Sequence, residues 1–278
     1  MNKALVNRII PFSAVDGPGN RTAIFLQGCN FNCRYCHNPE TINKCVHCGN
    51  CINVCPTGAL YFENHKVHWK EELCVKCDNC LKNCSYSASP KVKEMSVEDI
   101  IIQIKKVKPF IEGITVSGGE CTLQKDFLVS LFTEVKKLGL TCFVDTNASI
   151  PLYKDFALLE VMDKAMIDLK SYSLEEHKML TSMENSIVLK NIEKLSKLNK
   201  LYEIRTVIVP DLLDNKSNVH NTSKLLASLN PNIIYKIIKY RPLGVREELI
   251  NSSTPSKEFM EELQQISINN GCKNVIIV

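Results

Sequence analysis

Phe25-Leu26-Gln27-Gly28-Cys29-Asn30-Phe31-Asn32-Cys33-Arg34-Tyr35-Cys36-His37-Asn38-Pro39-Glu40-Thr41 decides how the rest of this 278-residue chain is read. Its cysteines are spaced Cys29-x3-Cys33-x2-Cys36, on a loop leaving the apolar run Thr22–Gln27. Three thiolates on so short a loop can hold three irons of a cubane and leave the fourth without a protein ligand, much as a catalytic zinc keeps one position open. An open iron is a place for a substrate to bind.

Immediately downstream the chain changes character. Cys45, Cys48, Cys51 and Cys55 recur at a constant offset as Cys74, Cys77, Cys80 and Cys84, with the alternating segment Leu60–Trp69 between them. Each copy reads C-x2-C-x2-C-x3-C, the spacing of bacterial two-cluster ferredoxins, in which the fourth cysteine of one run ligates the cluster of the other. The spacing therefore predicts Cys45, Cys48, Cys51 and Cys84 on one [4Fe–4S] cluster and Cys74, Cys77, Cys80 and Cys55 on a second. Structural zinc competes poorly: it needs two separated C-x2-C pairs, and a third cysteine at the same short spacing is redundant. Pro56 follows the fourth cysteine of the first copy, whereas Ser85 follows that of the second; no ligand is lost by the change.

Outside this stretch the pattern is that of repeated βα units. Strands are expected at Thr22–Gln27, Ile114–Val116, Thr141–Val144, Lys164–Asp168, Glu203–Val209 and Ile233–Ile238, and helices at Val97–Val107, Lys125–Leu138, Glu175–Thr181, Glu184–Lys197, Asn218–Leu229 and Lys257–Asn270. The expected fold class is α/β: a partial (β/α)6 barrel formed by residues 1–39 and 91–278, closed by a last strand Asn274–Val278, with residues 40–90 inserted as a ferredoxin-like domain carrying two [4Fe–4S] clusters. A doubly wound sheet is the alternative. Fourteen cysteines, most of them two or three residues apart, are a metal inventory and not a disulfide inventory, which suits a cytoplasmic protein. The N-terminal run MNKALVNRIIPF lacks a secretory apolar core, and no apolar stretch reaches the ~20 residues that span a bilayer. With a formal net charge of +4 and scattered lysines, neither a membrane nor a nucleic acid is an expected partner.

The stretch Val15-Asp16-Gly17-Pro18-Gly19-Asn20-Arg21, followed by the cysteine loop quoted above, resembles the N-terminal signature of radical S-adenosylmethionine (SAM) enzymes of the glycyl-radical-enzyme activating family. The ferredoxin-like insertion resembles the longer members, among them the YjjW-type activases. The resemblance covers essentially the whole chain. It implies that SAM chelates the open iron of the Cys29, Cys33 and Cys36 cluster, and that one electron cleaves it to methionine and a 5′-deoxyadenosyl radical. That radical takes a hydrogen atom from a backbone glycine of a partner, a glycyl radical enzyme. No side chain is then needed as an acid or base. Reduced flavodoxin or ferredoxin is the implied electron donor, and the three [4Fe–4S] clusters are the implied cofactors beside SAM. Whether the two inserted clusters relay electrons or hold a surface in place stays open.

The same resemblance assigns SAM contacts. Gly118, Gly119 and Glu120 match the motif for the methionyl ammonium; paired glycines let backbone approach a ligand. Cys121 stands where the family often has Pro and reads as a small buried residue. Asp168 and Lys170 match cofactor contacts, and Tyr35 and His37 flank the last cysteine of the loop. Asp145, Thr146 and Asp168, with the Met166 carbonyl, match a site for Na+ or K+; ordinary strand-end solvation is the alternative. Arg205 aligns with a family arginine on strand five, with carboxylate recognition and a structural ion pair as its two readings. Arg241 either stacks on adenine or faces solvent. Ala148 replaces a usual glycine and, by disfavouring positive φ, predicts a different loop path. Cys142 and Cys272 read as core thiols.

Overall fold

A computed structural model describes residues 2–278. In chain order the strands are β1 (Lys3–Ser13), β2 (Arg21–Leu26), β3 (Leu60–Glu63), β4 (Lys66–Trp69), β5 (Lys93–Ser96), β6 (Gly113–Gly118), β7 (Thr141–Thr146), β8 (Lys164–Asp168), β9 (Leu201–Ile208), β10 (Ile234–Lys239) and β11 (Asn274–Ile277). The α-helices are α1 (Asn79–Lys82), α2 (Val97–Val107), α3 (Lys125–Lys137), α4 (Phe156–Val161), α5 (Leu174–Thr181), α6 (Ser186–Lys197), α7 (Asn215–Leu229) and α8 (Lys257–Asn269).

Nine strands form one sheet in the order β11-β10-β9-β8-β7-β6-β2-β1-β5. From β2 to β11 every pairing is parallel. Their spatial order never reverses, so right-handed crossovers place the connecting helices on one face. A doubly wound sheet requires a reversal, and that alternative falls. The last strand extends the sheet beside β10 and does not close it: among the described residues the edges are β11 and β5. The other edge is built by two strands absent from the sequence-based expectation, β1 and β5, both antiparallel to their neighbours. Residues 3–13 of the N-terminal run thus supply the strand next to that edge, paired on both sides.

Period-two alternation explains why helices cover one face only. Ile24, Leu26, Ile114, Val116, Val144, Ala165, Ile167, Ile204 and Ile237 are buried in one core with Ile100 and Ile104 of α2 and Leu128, Leu131 and Val135 of α3. The intervening positions carry Arg21, Thr115, Ser117, Asp145, Glu203, Arg205 and Lys236, which pair with one another across the opposite face, and Asp168, which pairs with Lys170. The sheet therefore has an apolar, helix-packed side and a polar side. Helix α2 opens on a capping box in which Ser96 Oγ and the Asp99 carboxylate exchange hydrogen bonds with each other's backbone N–H.

The cysteine-rich stretch forms no part of the large sheet. Its hairpin β3–β4 turns at Asn64-His65, with φ of 49° and 61°, the positive values a two-residue primed turn demands. A separate small core of Cys51, Leu60, Val67 and Cys80 lies beneath it. Among the described residues no helix is long and apolar enough to cross a membrane.

Candidate active site

In a parallel sheet all carboxyl ends lie along one edge, which is where such folds build their sites. That edge carries the cysteine loop after β2, Gly118-Gly119-Glu120 at the end of β6, Asp145-Thr146-Asn147 at the end of β7, and Asp168-Leu169-Lys170 at the end of β8. Segments more than a hundred residues apart in sequence are neighbours there.

The cysteine loop is held from four sides. Gly28 N and Cys29 N donate to the Thr41 and Ile42 carbonyls (both 2.8 Å). Asn32 N and Arg34 N donate to the Thr181 and Leu180 carbonyls at the end of α5 (3.1 and 2.9 Å). Asn147 Nδ2 reaches Cys29 Sγ at 3.8 Å and Asn30 Oδ1 at 3.2 Å. Arg246 Nη2 donates to the Cys33 carbonyl at 2.8 Å. Burial pushes the Cys29 and Cys33 thiols up to about 12 and raises that of Cys36. A metal must therefore displace their protons to bind. The donor set fits a cluster: Phe31 N–H points at Cys29 Sγ (3.4 Å), and His47 N–H makes the same contact with Cys45 Sγ (3.4 Å). Such N–H···S bonds favour thiolate.

Gly118 and Gly119 are required by close backbone approach. A Cβ on Gly118 (φ 123°) would lie 2.1 Å from the Leu26 carbonyl, and one on Gly119 would lie 2.3 Å from that of Gly28. Glu120 is turned inward. Its carboxylate accepts from Thr122 N (3.0 Å), Thr122 Oγ1 (2.6 Å), Thr146 Oγ1 (2.7 Å) and Asn147 N (2.7 Å), pinning the end of β6 to that of β7. Burial raises its pKa, and those donors work against the rise.

Lys170 Nζ bonds Asp168 Oδ2 at 2.8 Å and lies 5.8 Å from the centre of the Tyr35 ring. Burial alone would lower the Lys170 pKa, but Asp168 and the neighbouring groups hold it well above the usual value. The Tyr35 hydroxyl is buried without a protein partner, so this pocket has room in its hydrogen bonding for a polar ligand group. His37 Nε2 stands 3.1 Å from the Arg241 carbonyl, while the Arg241 side chain is exposed.

Arg205 is engaged in ion pairs: Nε with Glu203 Oε1 (2.6 Å) and Nη1 with Asp145 Oδ2 (2.9 Å), with Lys236 Nζ on the other Glu203 oxygen (2.7 Å). Burial would lower its pKa, yet Asp145, Asp168 and Glu203 together hold it above the ordinary arginine value. The oxygens expected around a monovalent cation are directed elsewhere, Asp145 to Arg205 and Ser117, Thr146 to Glu120, and Asp168 to Lys170. Ala148 does adopt positive φ (53°), against expectation. Its N–H donates to Thr146 Oγ1 (2.9 Å) and its carbonyl accepts from Asn191 Nδ2 (2.8 Å), which together hold the strained turn. Cys121, Cys142 and Cys272 are buried thiols donating to backbone carbonyls.

The remaining eight cysteines gather in two pockets. One is lined by Cys45, Cys48, Cys51 and Cys84, the other by Cys55, Cys74, Cys77 and Cys80, with Cys80 also touching the first. The fourth cysteine of each run thus sits with the first three of the other. Among the described residues no three His, Cys, Asp or Glu side chains converge closely enough for a single metal ion. Thiolates around a cubane stand wider apart than those around one zinc.

Residues 23–220 match the model of the Radical SAM superfamily. The chain belongs to that superfamily. Within it, the similarity runs to enzymes that activate glycyl radical enzymes. A Haemophilus influenzae protein provisionally named a glycyl-radical enzyme activating enzyme is 30% identical over 98% of this chain and 96% of its own. The pyruvate formate-lyase-activating enzyme of Streptococcus mutans is 30% identical over 86% of this chain and 78% of its own length. Among solved structures, a radical SAM methyltransferase from Sphaerobacter thermophilus superposes over 99% of this chain and 77% of that one, with a TM-score of 0.57 and 11% identity, a likeness of fold. This radical SAM protein is a glycyl-radical enzyme activating enzyme, and its superfamily cofactors are a [4Fe–4S] cluster and SAM.

Sequence reasoning missed Arg246 and the docking of the cysteine loop on α5. Neither leaves a motif: Arg246 belongs to no recurring pattern in its irregular segment, and the α5 contacts are made by main-chain carbonyls.

Proposed function

We propose that this activating enzyme holds its catalytic cluster on Cys29, Cys33 and Cys36 and uses it to generate a glycyl radical on a partner enzyme. When bound and reduced by one electron, the cluster and SAM supply methionine and a 5′-deoxyadenosyl radical, which leaves as 5′-deoxyadenosine after taking a hydrogen atom from the partner's glycine. The observation that carries this reading is the convergence of the cysteine loop, the Gly118-Gly119 approach and the Asp168–Lys170 pair on one sheet edge.

The chain's own part is to bind, orient and exclude water. Gly118 and Gly119 keep bare backbone beside the loop, where carbonyls receive the methionyl ammonium. Glu120 acts through the strand ends that it ties together. Tyr35 and His37 flank the adenosine side, and the Lys170 ammonium, kept charged by Asp168, takes an acceptor of the cofactor. Arg205 supplies a fixed positive charge on the polar face, balanced by Asp145 and Glu203.

The partial barrel comprises residues 1–39 and 91–278, and residues 40–90 form a ferredoxin-like insertion of the YjjW-type. Its two clusters take Cys45, Cys48, Cys51 and Cys84, and Cys74, Cys77, Cys80 and Cys55, a division supported by the two cysteine-lined pockets. They receive electrons from reduced flavodoxin or ferredoxin in the cytoplasm. The test is 5′-deoxyadenosine formation by anaerobically reconstituted, reduced protein, with Cys33→Ala as control and a glycyl radical enzyme added. Product that depends on Cys33, and a glycyl radical signal that depends on the partner, are expected. A full iron complement without product would overturn the reading.

A further inference from the structure

Arg246 lies in the irregular segment between β10 and α8, anchored on its return by Ser252 Oγ to the Pro210 carbonyl (2.7 Å). This segment crosses the cysteine loop at three points. The Arg241 carbonyl is 3.1 Å from His37 Nε2. Gly244 passes so near that a Cβ would stand 3.2 Å from the His37 carbonyl oxygen. Arg246 Nη2 donates to the Cys33 carbonyl at 2.8 Å.

Unlike Arg205, Arg246 has no ion-paired carboxylate among the described residues. Its Nε is buried and has no partner in the protein. One arm of the guanidinium is therefore fixed against the backbone of a cysteine ligand, while another donor faces the interior with nothing to receive it. Buried donors in native proteins are almost always satisfied, so an acceptor belongs there. Arg246 touches the backbone of Cys33, one of the three cysteines read above as cluster ligands. An acceptor that is electron-rich, anionic and held by those cysteines fits the donor.

We propose that Arg246 is a positioning residue of the cluster on Cys29, Cys33 and Cys36, its Nη2 fixing the Cys33 backbone and its Nε–H donating to a sulfur of the cluster. The inference rests on the reading of that triplet as a cluster site. A cubane bearing three thiolates is anionic and becomes more so by one charge on reduction. A fixed guanidinium and an N–H···S bond both favour the reduced form, so Arg246 raises the reduction potential and eases electron entry. Lysine at this position keeps the charge and loses the fork that makes both contacts.

The experiment uses full-length protein carrying 15N-arginine, loaded with iron and sulfide, reduced, and examined by pulsed electron paramagnetic resonance. The relevant signal is the one that changes when SAM is added. A 15N coupling on it in the wild type, absent in Arg246→Lys, is expected. The midpoint potential of the same signal should shift to more negative values in Arg246→Gln, with Arg246→Lys between the two. No arginine coupling in the wild type, or equal potentials at equal iron content, would overturn the inference. Should Arg246→Gln fail to load iron, the labelled wild type and Arg246→Lys decide alone. Absence of any SAM-responsive cluster in the wild type would sink the triplet reading, and this inference with it.

Discussion

Arg205 Nη1 donates to Asp145 Oδ2 over 2.9 Å, joining β9 to the end of β7 across the intervening β8. Both side chains are only 12% exposed, so each charge relies on the other in place of water. Arg205→Met leaves Asp145 and Glu203 buried without their shared cation. It is expected to destabilise the fold by ~3–5 kcal/mol, read as a lower urea midpoint, whereas Arg205→Met combined with Asp145→Asn and Glu203→Gln should recover part of the loss.

Cys84 stands with Cys45, Cys48 and Cys51, apart from Cys74 and Cys77 of its own run. Removing two ligands of one cluster should cost no more iron than removing one. Cys45→Ala with Cys84→Ala is therefore expected to lose about four irons per chain, and Cys74→Ala with Cys84→Ala about eight. Iron analysis after anaerobic reconstitution checks this. The reverse result would mean that each run holds its own cluster.

The His177 ring is fully buried, meets Phe31 edge to face at 5.5 Å, and has no partner on either nitrogen. Burial pushes its pKa from 6.5 down to about 4. The unfolded chain therefore takes a proton in this window while the folded chain does not. The contribution is fully present above pH 6.5 and is lost as the pH falls toward 4, by about 3 kcal/mol in all. His177→Phe keeps a ring against Phe31 and removes the proton site, so the difference in unfolding free energy between pH 7 and pH 4.5 should shrink by about 2 kcal/mol, the part of that amount that falls in this interval. An unchanged difference would mean that the ring titrates normally.

Ala148 holds a positive φ of 53° at a fully buried position. Ala148→Gly removes the Cβ strain while the hydrogen bonds from Ala148 N and to its carbonyl stay. A gain of up to about 1 kcal/mol in urea-measured stability is expected, with activity unchanged.

Period-two and helical patterns placed β2, β6, β7, β8, β9, β10 and β11, because each pairs with a helix-covered core and alternates accordingly. Strand β1 escaped because only Ala4 and Val6 of it are buried, leaving little alternation to read. Strand β5 spans only Lys93–Ser96, too few residues to carry a pattern. The two cysteine runs themselves are plain in the sequence because ligand spacing is a local property of the chain. Arg246 is not, since its partner is the main-chain carbonyl of Cys33, which has no sequence code. For Ala148 the rule that alanine avoids positive φ was sound, but Thr146 and Asn191 outweigh it.

Asn43 and Ala88 lie side by side in an isolated parallel bridge, reinforced by Asn43 N on the Ser87 carbonyl (3.1 Å) and Asn43 Nδ2 on that of Tyr86 (2.9 Å). The cysteine-rich stretch thus departs from the rest of the chain and rejoins it at a single doorway. Because Asn43 and Ala88 run in the same direction there, any replacement for the segment must, like it, carry the chain out and back before Ala88. It must also supply partners for Lys93 of β5, which the present segment meets with Glu71 and Trp69.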